Sequence, residues 1–326
     1  MSIEMAELNF LIVGDTKYFL PIKKCLFQIN KIYKTASIYI YDWGFHEKEK
    51  DELISKNNKV KIFDWRNKIH DSLNNLHNNY DLSINDNNVN VAEFHNARLQ
   101  KGFRKRVAKF FLKRFPKSSM VKKPIERAIR FEEMLVQKIV CLRDFSNFIG
   151  SKKFIFLDAD AMLVKPFSEV LTSDYDVAFT MRRPERQSTL IPPKGKCLKD
   201  FISSGVVFFG SKTINRNIFL DVWLKEARLY EGRLREQAAA SIIISDDDGK
   251  IPDYYSIVIK RIKKQQIKLF LLPADIYNYN VGLHDFSNEH MNKMSLLMLK
   301  EAKIVHFIND SYRHKNIREL VFKSID

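Results

Sequence analysis

The stretch Phe154-Ile155-Phe156-Leu157-Asp158-Ala159-Asp160 is the sharpest local feature of the sequence. Four consecutive apolar residues are typical of a strand that is buried on both faces, and two aspartates follow directly at its carboxyl end. Two further Asp-x-Asp tripeptides, Asp174/Asp176 and Asp246/Asp248, do not directly follow such a run. Paired carboxylates at a strand end suit a hard divalent cation. On spacing alone, two acids that cap the next helix or face solvent are an equally weighted interpretation.

Strands and helices alternate on both sides of this stretch. Before it, the patterns predict strands at 8–13, 37–41 and 60–63 and helices at 18–33 and 47–56. Around and after it, they predict helices at 132–148 and 218–235 and strands at 154–157, 177–180, 205–210, 268–272 and 303–307. Such alternation is typical of βαβ units, so we expect an α/β fold with a mixed, mostly parallel central sheet flanked by helices. Ligands of open α/β sheets bind beyond the carboxyl ends of the strands.

The composition indicates the kind of partner. The 326 residues contain 55 Lys+Arg and 39 Asp+Glu, a net charge of +16, which favours an anionic partner such as a nucleotide, nucleic acid or a membrane surface. With 10 Gly, the chain contains neither GxGxxG nor GxxxxGK[ST]. Glu4 and Glu7 stand where a signal peptide would have Lys or Arg, and no window holds the ~20 apolar residues that span a bilayer. Three scattered cysteines are too few for a disulfide framework and predict a reducing, cytoplasmic environment.

We expect a single domain, 1–326, with a polar and basic insertion at 66–130. An Asn-rich stretch at 70–96 predicts a polar excursion and not a core element. Residues 101–117 contain eight cations and no acid, with Phe residues at helical spacing. Such a helix suits an anionic membrane surface. One alternative is a helix that packs its Phe face on the domain. With less weight, the helix could contact an acidic acceptor or nucleic acid, for which no motif is present.

Six further segments, in chain order with the first Asp-x-Asp, resemble the nucleotide-sugar-dependent glycosyltransferases of the GT-A fold, particularly the family-eight-like group. They are residues 12–18, 38–44, 201–209, 235–239, 277–280 and 304–307. The resemblance covers residues 8–65 and 131–310 and implies a GT-A-like, Rossmann-like fold. Three features depart from the family: Ser203 replaces Asn, Glu236 replaces Asp, and the Lys-Pro-Trp box after the metal histidine is missing.

The resemblance implies a metal site and a donor site. Asp158, Asp160 and His306 would hold Mn²⁺ or Mg²⁺ against the donor diphosphate, and mixed oxygen and nitrogen ligands suit Mn²⁺. The residues implied at the nucleotide-sugar are Asp15, Tyr18, Asp42, Lys138, Asp158, Ser204 and Gly205. Without the upstream motif, a structural role for His306 inside a strand would be favoured, and a solvated Lys138 is as well supported as a donor contact.

Gln237, with Glu236 beside it, is implied as the polar group that faces the reacting sugar carbon. In family-eight-like enzymes the product keeps the anomeric configuration of the donor. A residue on the surface of a helix is an equally weighted interpretation of Gln237.

The expected function is a metal-dependent glycosyltransferase that moves a sugar from a nucleotide-sugar, a UDP-sugar by resemblance, to an acceptor hydroxyl. Heavy use of Asn, Lys, Ile and Phe suggests an AT-rich genome, so a bacterial lipopolysaccharide or capsule is a natural acceptor. A lipid-linked acceptor would place the protein at the inner face of the cytoplasmic membrane. Two alternatives stay open: a nucleotidyltransferase, which usually has a Gly-rich basic loop after the first strand, and a non-catalytic basic protein that binds membranes or nucleic acid through residues 101–130.

Overall fold

The computed structural model describes residues 8–55, 59–76, 119–190, 198–245, 250–282, 289–308 and 311–325. The strands are β1 Asn9–Gly14, β2 Ser37–Asp42, β3 Val60–Asp64, β4 Phe154–Asp158, β5 Ala161–Leu163, β6 Val177–Met181, β7 Ser188–Leu190, β8 Leu198–Asp200, β9 Ile202–Phe209, β10 Ile257–Ile262, β11 Gln265–Pro273, β12 Tyr279–Val281 and β13 Ile304–Phe307. The helices are α1 Phe19–Ile32, α2 Glu47–Ser55, α3 Arg66–Asn74, α4 Ser119–Ile149, α5 Glu169–Thr172, α6 Thr213–Leu229, α7 Arg235–Ile244, α8 Ala274–Tyr277, α9 Glu289–Glu301 and α10 Lys315–Ile325.

Within the described residues, eight strands form the main sheet in the order β10-β11-β6-β9-β4-β1-β2-β3. The strands β3, β2, β1 and β4 are parallel to their neighbours in this set, and β9 is antiparallel to both β4 and β6. The strand β11 is parallel to β6, and β10 closes that edge as an antiparallel strand. The expected mixed, mostly parallel sheet flanked by helices is therefore confirmed.

The strand β4 is central because its side chains are buried on both faces of the sheet. Phe154 and Phe156 belong to the hydrophobic cluster on one face, which includes residues of α4 and α6. Ile155 and Leu157 belong to the cluster on the other face, which includes residues of α1. A strand buried on both faces has to be apolar throughout, and this is the pattern that the sequence showed. The chain then turns at Asp158, where the sheet ends.

The first and fourth strands mark a topological switch point. From β1, the chain continues through β2 to β3 on one side, while β4 lies on the other side of β1. Both β1 and β4 end at the same edge of the sheet, because they are parallel and Val13 pairs with Asp158. A crevice opens at such a point in open α/β sheets and is the usual place for a ligand.

A second sheet of three strands, β12-β13-β5, lies next to the end of β4. The strand β5 begins at Ala161, directly after the Asp-x-Asp, and pairs antiparallel with β13. The Phe307 N–H also donates to the Asp160 carbonyl at 3.0 Å. This pairing places His306 of β13 opposite Ala161, and so brings a histidine from the end of the chain to the two aspartates.

The structure corrects two predictions at the level of secondary structure. The helix predicted at 218–235 is interrupted: α6 ends at Leu229, and α7 begins at Arg235. The first part of the Asn-rich stretch forms the end of α3, and Leu76 beyond that helix is buried. The rest of that stretch and the basic segment 101–117 lie outside the described residues. In the described part of the chain, no helix combines the length and apolar character needed to cross a membrane.

Candidate metal and donor site

Asp158, Asp160 and His306 form a cluster at the carboxyl end of β4. Their potential ligand atoms lie within 4.8 Å of one another, and this is the one group of metal-ligand type found among the described residues. The His306 Nε2 atom lies 2.9 Å from Asp160 Oδ1 and 3.9 Å from Asp158 Oδ2. Two ligands about 2.1 Å from a shared cation can be up to about 4.2 Å apart, so these separations suit one ion.

Asn278 determines which nitrogen of His306 faces the carboxylates. Its Nδ2 donates to Thr180 Oγ1 at 3.0 Å and to Ser203 Oγ at 2.9 Å, so its Oδ1 is the atom directed at His306 Nδ1, at 3.1 Å. A carboxamide oxygen can only accept, and Nδ1 must therefore carry the proton. The lone pair is then on Nε2, the atom that faces Asp158 and Asp160. Metal-bound histidines are oriented in this way by a second hydrogen bond.

Gly205 leaves room for the side chains of His306 and Asp158 because it has no side chain of its own. A Cβ atom on this residue would lie 2.5 Å from Cε1 and Nδ1 of His306 and 3.0 Å from Asp158 Oδ2. Any side chain on β9 at this position would displace the imidazole or the carboxylate. The close approach of β9 to the cluster therefore requires glycine.

The charged groups of the cluster shift one another's pKa values. Burial lowers the pKa of His306, but the facing carboxylates of Asp160 and Asp158 outweigh burial, and the pKa is raised. Burial likewise lowers the pKa of Lys138, yet Asp158 and Glu236 raise it above its ordinary value. The facing carboxylates thus favour the protonated forms of both side chains.

Lys138 joins the metal cluster to α7. Its buried ammonium donates to Asp158 Oδ1 and to Ser204 Oγ, both at 3.2 Å, and to Glu236 Oε1 at 3.4 Å. Ser204 Oγ in turn donates to Glu236 Oε1 at 3.0 Å. Burial raises the pKa of Glu236, while Lys138 opposes that effect. The structure thus brings together Lys138, Asp158, Ser204 and Glu236, which the sequence had placed in the site.

The beginning of α7 is fixed by a carboxylate from α4. Glu132 is fully buried and accepts from the backbone N–H groups of Leu234 at 2.8 Å and Arg235 at 2.9 Å. Leu234 has a φ of 51°, a left-handed conformation that is costly for a residue with a branched side chain. This interaction separates α7 from α6 and directs Glu236 into the site.

Gln237 follows Glu236 and is half-buried, so it is not a freely exposed helix residue. Its Oε1 accepts a hydrogen bond from Arg182, at the end of β6. Arg182 also pairs with Asp200, with 2.9 Å between Nη1 and Oδ2. Because the oxygen of Gln237 is used by Arg182, the amide N–H groups are the part left to face a ligand.

A cleft of about 570 Å³ opens beside Asp160. The loop after β1 forms one wall, and residues that follow β13 form another. The lining residues are Thr16, Lys17, Tyr18, Phe19, Leu20, Pro21, Glu49, Asp160, Phe307, Tyr312 and Arg318. Ligand pockets typically have volumes of roughly 300–1,000 Å³. The cleft therefore has room for a nucleotide next to the metal cluster.

The remaining predicted residues lie at the ends of β1 and β2. Tyr18 lines the cleft. Asp15 caps the short helix Thr16–Tyr18 by accepting from the Lys17 N–H at 3.0 Å, and burial raises the pKa of its carboxyl. Asp42 is fully buried and accepts from the N–H groups of Gly44 and Phe45, so its carboxylate holds the turn after β2.

Several residues of the site had no role in the sequence analysis. Asn278 and Ser203 lie in segments that resemble the family, but only the structure shows that they orient His306. No sequence pattern marks Glu132, Arg182 or Arg318 as a site residue, because each reaches the site from a distant part of the chain. Their positions follow from the fold, and no local pattern could have found them.

The chain matches no model of a known protein family and no curated protein sequence. Solved structures with a similar fold include the galactosyltransferase LgtC in complex with donor and acceptor sugar analogs, at 9% identity and a TM-score of 0.47, with 97% of this chain and 95% of LgtC covered. The glycosyltransferase GlyE of Streptococcus pneumoniae is similar at 10% identity and a TM-score of 0.47, with 98% of this chain and 60% of GlyE covered. The bifunctional glycosyltransferase WbbM is similar at 11% identity and a TM-score of 0.44, with 100% of this chain and 50% of WbbM covered. This chain thus spans half to three fifths of GlyE and WbbM.

By their names these three structures are glycosyltransferases, the class that the sequence motifs resemble. This similarity concerns the general fold only. Any proposed activity has to be argued from the site residues of this chain.

Proposed function

We propose that this chain is a metal-dependent glycosyltransferase that takes a sugar from a nucleotide-sugar. The observation that carries the proposal is the cluster of Asp158, Asp160 and His306, in which Asn278 sets the histidine tautomer for metal binding. Its place at the carboxyl ends of β1 and β4, beside a cleft, supports the same conclusion. A divalent cation there would stabilise the negative charge that develops on a diphosphate leaving group.

The donor nucleotide would occupy the cleft. Tyr18 offers an aromatic face for a base, and the turn capped by Asp15 holds it in place. Asp160 lies in the lining of the same cleft, so the diphosphate would lie towards the metal cluster and the sugar beyond it.

The network around Glu236 would organise the sugar side of the site. Lys138 fixes Asp158, and Glu236 fixes Lys138, so the ligand carboxylate is held before the donor arrives. Gln237 would be the polar group at the reacting carbon, and it would donate through its amide because its oxygen accepts from Arg182. It acts in this proposal as a hydrogen-bond donor to the sugar or to the acceptor hydroxyl.

The finer assignments follow the family resemblance. They are UDP as the nucleotide, Mn²⁺ or Mg²⁺ as the ion, retention of the anomeric configuration, and a glycan or lipid-linked glycan of a bacterial surface as the acceptor. Binding to an anionic membrane would use residues 101–117. The nucleotidyltransferase alternative receives less support, because the loop after β1 is a short helix capped by Asp15 and not a Gly-rich basic loop.

Thermal unfolding with a panel of nucleotides, with and without Mn²⁺, tests the proposal. A ligand at 100 times its dissociation constant stabilises the folded state by about 2.7 kcal/mol, which is a readily measured shift in Tm. We expect a shift that needs both the nucleotide and the metal and that disappears in Asp160→Ala. The control is Asp174→Ala, which removes an exposed aspartate of another Asp-x-Asp that pairs with Lys268 on the surface.

A shift in Asp160→Ala equal to that of the wild type would contradict the role of the cluster. The absence of a shift with any nucleotide would favour a non-catalytic basic protein. With the active nucleotide identified, transfer to water or to a glycan is measured from its nucleotide-sugar, and NMR of the product anomer decides between retention and inversion.

A further inference from the structure

The segment after β13 contributes a positively charged residue to the lining of the cleft. Tyr312 and Arg318 line it there, and residues of the loop after β1 line it as well. Arg318 lies in the first turn of α10, the helix Lys315–Ile325. Asp160 of the metal cluster and Arg318 therefore line the same cavity.

Arg318 is held on a rigid support. Its guanidinium carbon lies 5.5 Å from the centre of the Tyr312 ring, and Nη1 donates to the Tyr312 carbonyl at 3.3 Å. Tyr312 is 7% exposed and packs edge-on against Phe307, with 5.2 Å between ring centres. The other guanidinium nitrogens have no protein partner among the described residues. The side chain is thus fixed in place and retains donors for a ligand.

The charges of the lining favour an anion between Arg318 and the metal cluster. Of the two acids in the lining, Glu49 accepts from Thr16 Oγ1 at 2.7 Å and from the His46 N–H at 2.9 Å, so hydrogen bonds within the protein occupy it. The other acid is Asp160, which would be neutralised by a divalent cation. The cations Lys17 and Arg318 then give the loaded cleft a positive character.

We propose that Arg318 binds the diphosphate of the donor, so that α10 forms part of the donor site. The inference rests on the proposed function and specifies one of its contacts. A diphosphate has two adjacent anionic groups, which fits a cavity lined by both a candidate cation ligand and an arginine. The planar guanidinium suits phosphate oxygens, because it can donate two parallel hydrogen bonds. The competing interpretation is that Arg318 only packs on Tyr312 and stabilises the fold.

Calorimetric titration of UDP and of inorganic pyrophosphate, each with Mn²⁺, separates these interpretations. We expect Arg318→Gln to weaken both ligands by about tenfold or more, the loss typical of a charge-assisted hydrogen bond. Arg318→Lys, which keeps the charge but not the planar fork, should give an intermediate loss. Tyr18→Ala should weaken UDP and leave pyrophosphate unchanged, since Tyr18 is placed at the base.

The matched control is Lys323→Gln, which removes one positive charge from the exposed end of the same helix. It should change neither affinity by more than about twofold at physiological salt, because screening weakens such a distant charge. A similar loss in this variant would mean that net charge alone is responsible and would overturn the proposal.

The outcomes also separate the inference from the proposed function. If wild-type protein binds UDP and Arg318→Gln binds UDP and pyrophosphate equally well, the inference is wrong and the proposed function stands. A lower Tm of Arg318→Gln with unchanged affinities also overturns the inference and assigns Arg318 a structural role. If the wild type binds neither UDP nor any other nucleoside diphosphate, both are wrong.

Discussion

At the scale of single residues, the site depends on side chains that orient other side chains. Asn278 contacts no ligand in the proposed site, yet it fixes the protonated nitrogen of His306 through a hydrogen bond of 3.1 Å. Its own orientation is set by Thr180 and Ser203, on two neighbouring strands of the main sheet. The sheet thus determines the tautomer of a histidine that belongs to the other sheet.

The variant Asn278→Leu should lose metal affinity. Removal of an outer hydrogen bond to a histidine ligand typically costs a factor of about 10–100 in metal affinity. Asn278→Asp keeps an acceptor for Nδ1–H and should retain most of the affinity. Titration with Mn²⁺ followed by electron paramagnetic resonance measures both variants, and wild-type affinity in Asn278→Leu would refute the orienting role.

Gly205→Ala should abolish metal binding while the fold is kept. The new Cβ would overlap His306 Cε1 and Nδ1 at 2.5 Å, so the imidazole has to move away from the aspartates. Gly150→Ala is the control: its φ of 62° makes alanine unfavourable, but apart from its chain neighbours no described residue has an atom within 4 Å of the new Cβ. This control should lose about 1 kcal/mol of stability and no metal affinity. Equal metal affinities of the two variants would contradict the steric explanation.

The sequence predicted the candidate metal ligands better than the side chains that support them. Asp158 and Asp160 follow an apolar run, and His306 was predicted by resemblance to lie with them; the structure brings the three together. The sequence did not identify Glu132 and Arg182 as site residues, because a single carboxylate or guanidinium in a helix or after a strand is usually a surface residue. Only the packing of α4, α7 and β6 shows that they act on the site.

At the scale of elements, the end of α4 depends on one buried arginine. Arg216 of α6 is fully buried and donates to the carbonyls of Ser146, Gly150, Lys152 and Gly210. Carbonyls at the end of a helix need such partners when water cannot reach them. Burial lowers the pKa of Arg216 to about 10, but the group remains protonated at neutral pH. The helix that carries Lys138 and Glu132 is therefore tied to α6.

Arg216→Leu should lower the free energy of unfolding by about 3 kcal/mol or more, since several buried carbonyls lose their donors. Arg143→Leu is the matched control on α4, because Arg143 forms a partly exposed pair with Asp221 and should contribute less than about 1 kcal/mol. Urea denaturation monitored by circular dichroism gives both values. Similar losses in the two variants would rule out the capping role of Arg216.

A second contact between elements should be sensitive to acid. Glu169 of α5 accepts from Tyr277 of α8 and from Lys303, directly before β13. Burial raises the pKa of Glu169, but the hydrogen bonds from Lys303 and Tyr277 lower it to about 2 from an ordinary 4.5. Because the folded-state pKa is depressed, the stabilisation is complete above pH 4.5 and is lost as the pH falls towards 2.

Glu169→Gln should therefore be less stable than the wild type near neutral pH, and the difference should close as the pH falls through this range. The side chain is 45% exposed, so the difference should stay below about 1 kcal/mol. Urea midpoints measured as a function of pH provide the comparison. A constant difference down to pH 2 would show that Glu169 acts by packing and not by charge.

Secondary structure could be predicted from the sequence where a local pattern of residues alone determines it. The apolar run of β4 needed no tertiary information, and its predicted bounds differ by one residue from Phe154–Asp158. The division of α6 from α7 was missed because it depends on Glu132, about one hundred residues away along the chain. The strands β5 and β12 have three residues each, too few to show a period.

At the scale of the whole molecule, the positive charge of the chain opposes its compact state. Residues 101–130 alone contribute +11 of the net charge of +16. Like charges destabilise a folded chain, and salt screens them. The same charge would attract an anionic donor, so ligand affinity and stability should respond to salt in opposite directions.

Raising the salt concentration from about 0.01 M to about 0.15 M shortens the Debye length from roughly 30 Å to roughly 8 Å. We expect the Tm of the protein without ligand to rise over this interval and the affinity for UDP to fall. Differential scanning calorimetry and titration at matched salt measure the two effects. A Tm that falls with salt would show that the ion pairs of the folded state outweigh the repulsion.

The order of the ligands along the chain has a consequence for synthesis. Asp160 and His306 are separated by 146 positions, and β13, which carries His306, lies beyond every strand of the main sheet. All described strands of the main sheet are therefore synthesised before His306. An ion at the proposed site would meet all three residues only after the second sheet has formed, so metal should stabilise the finished protein and have little influence on the folding of its nascent chain.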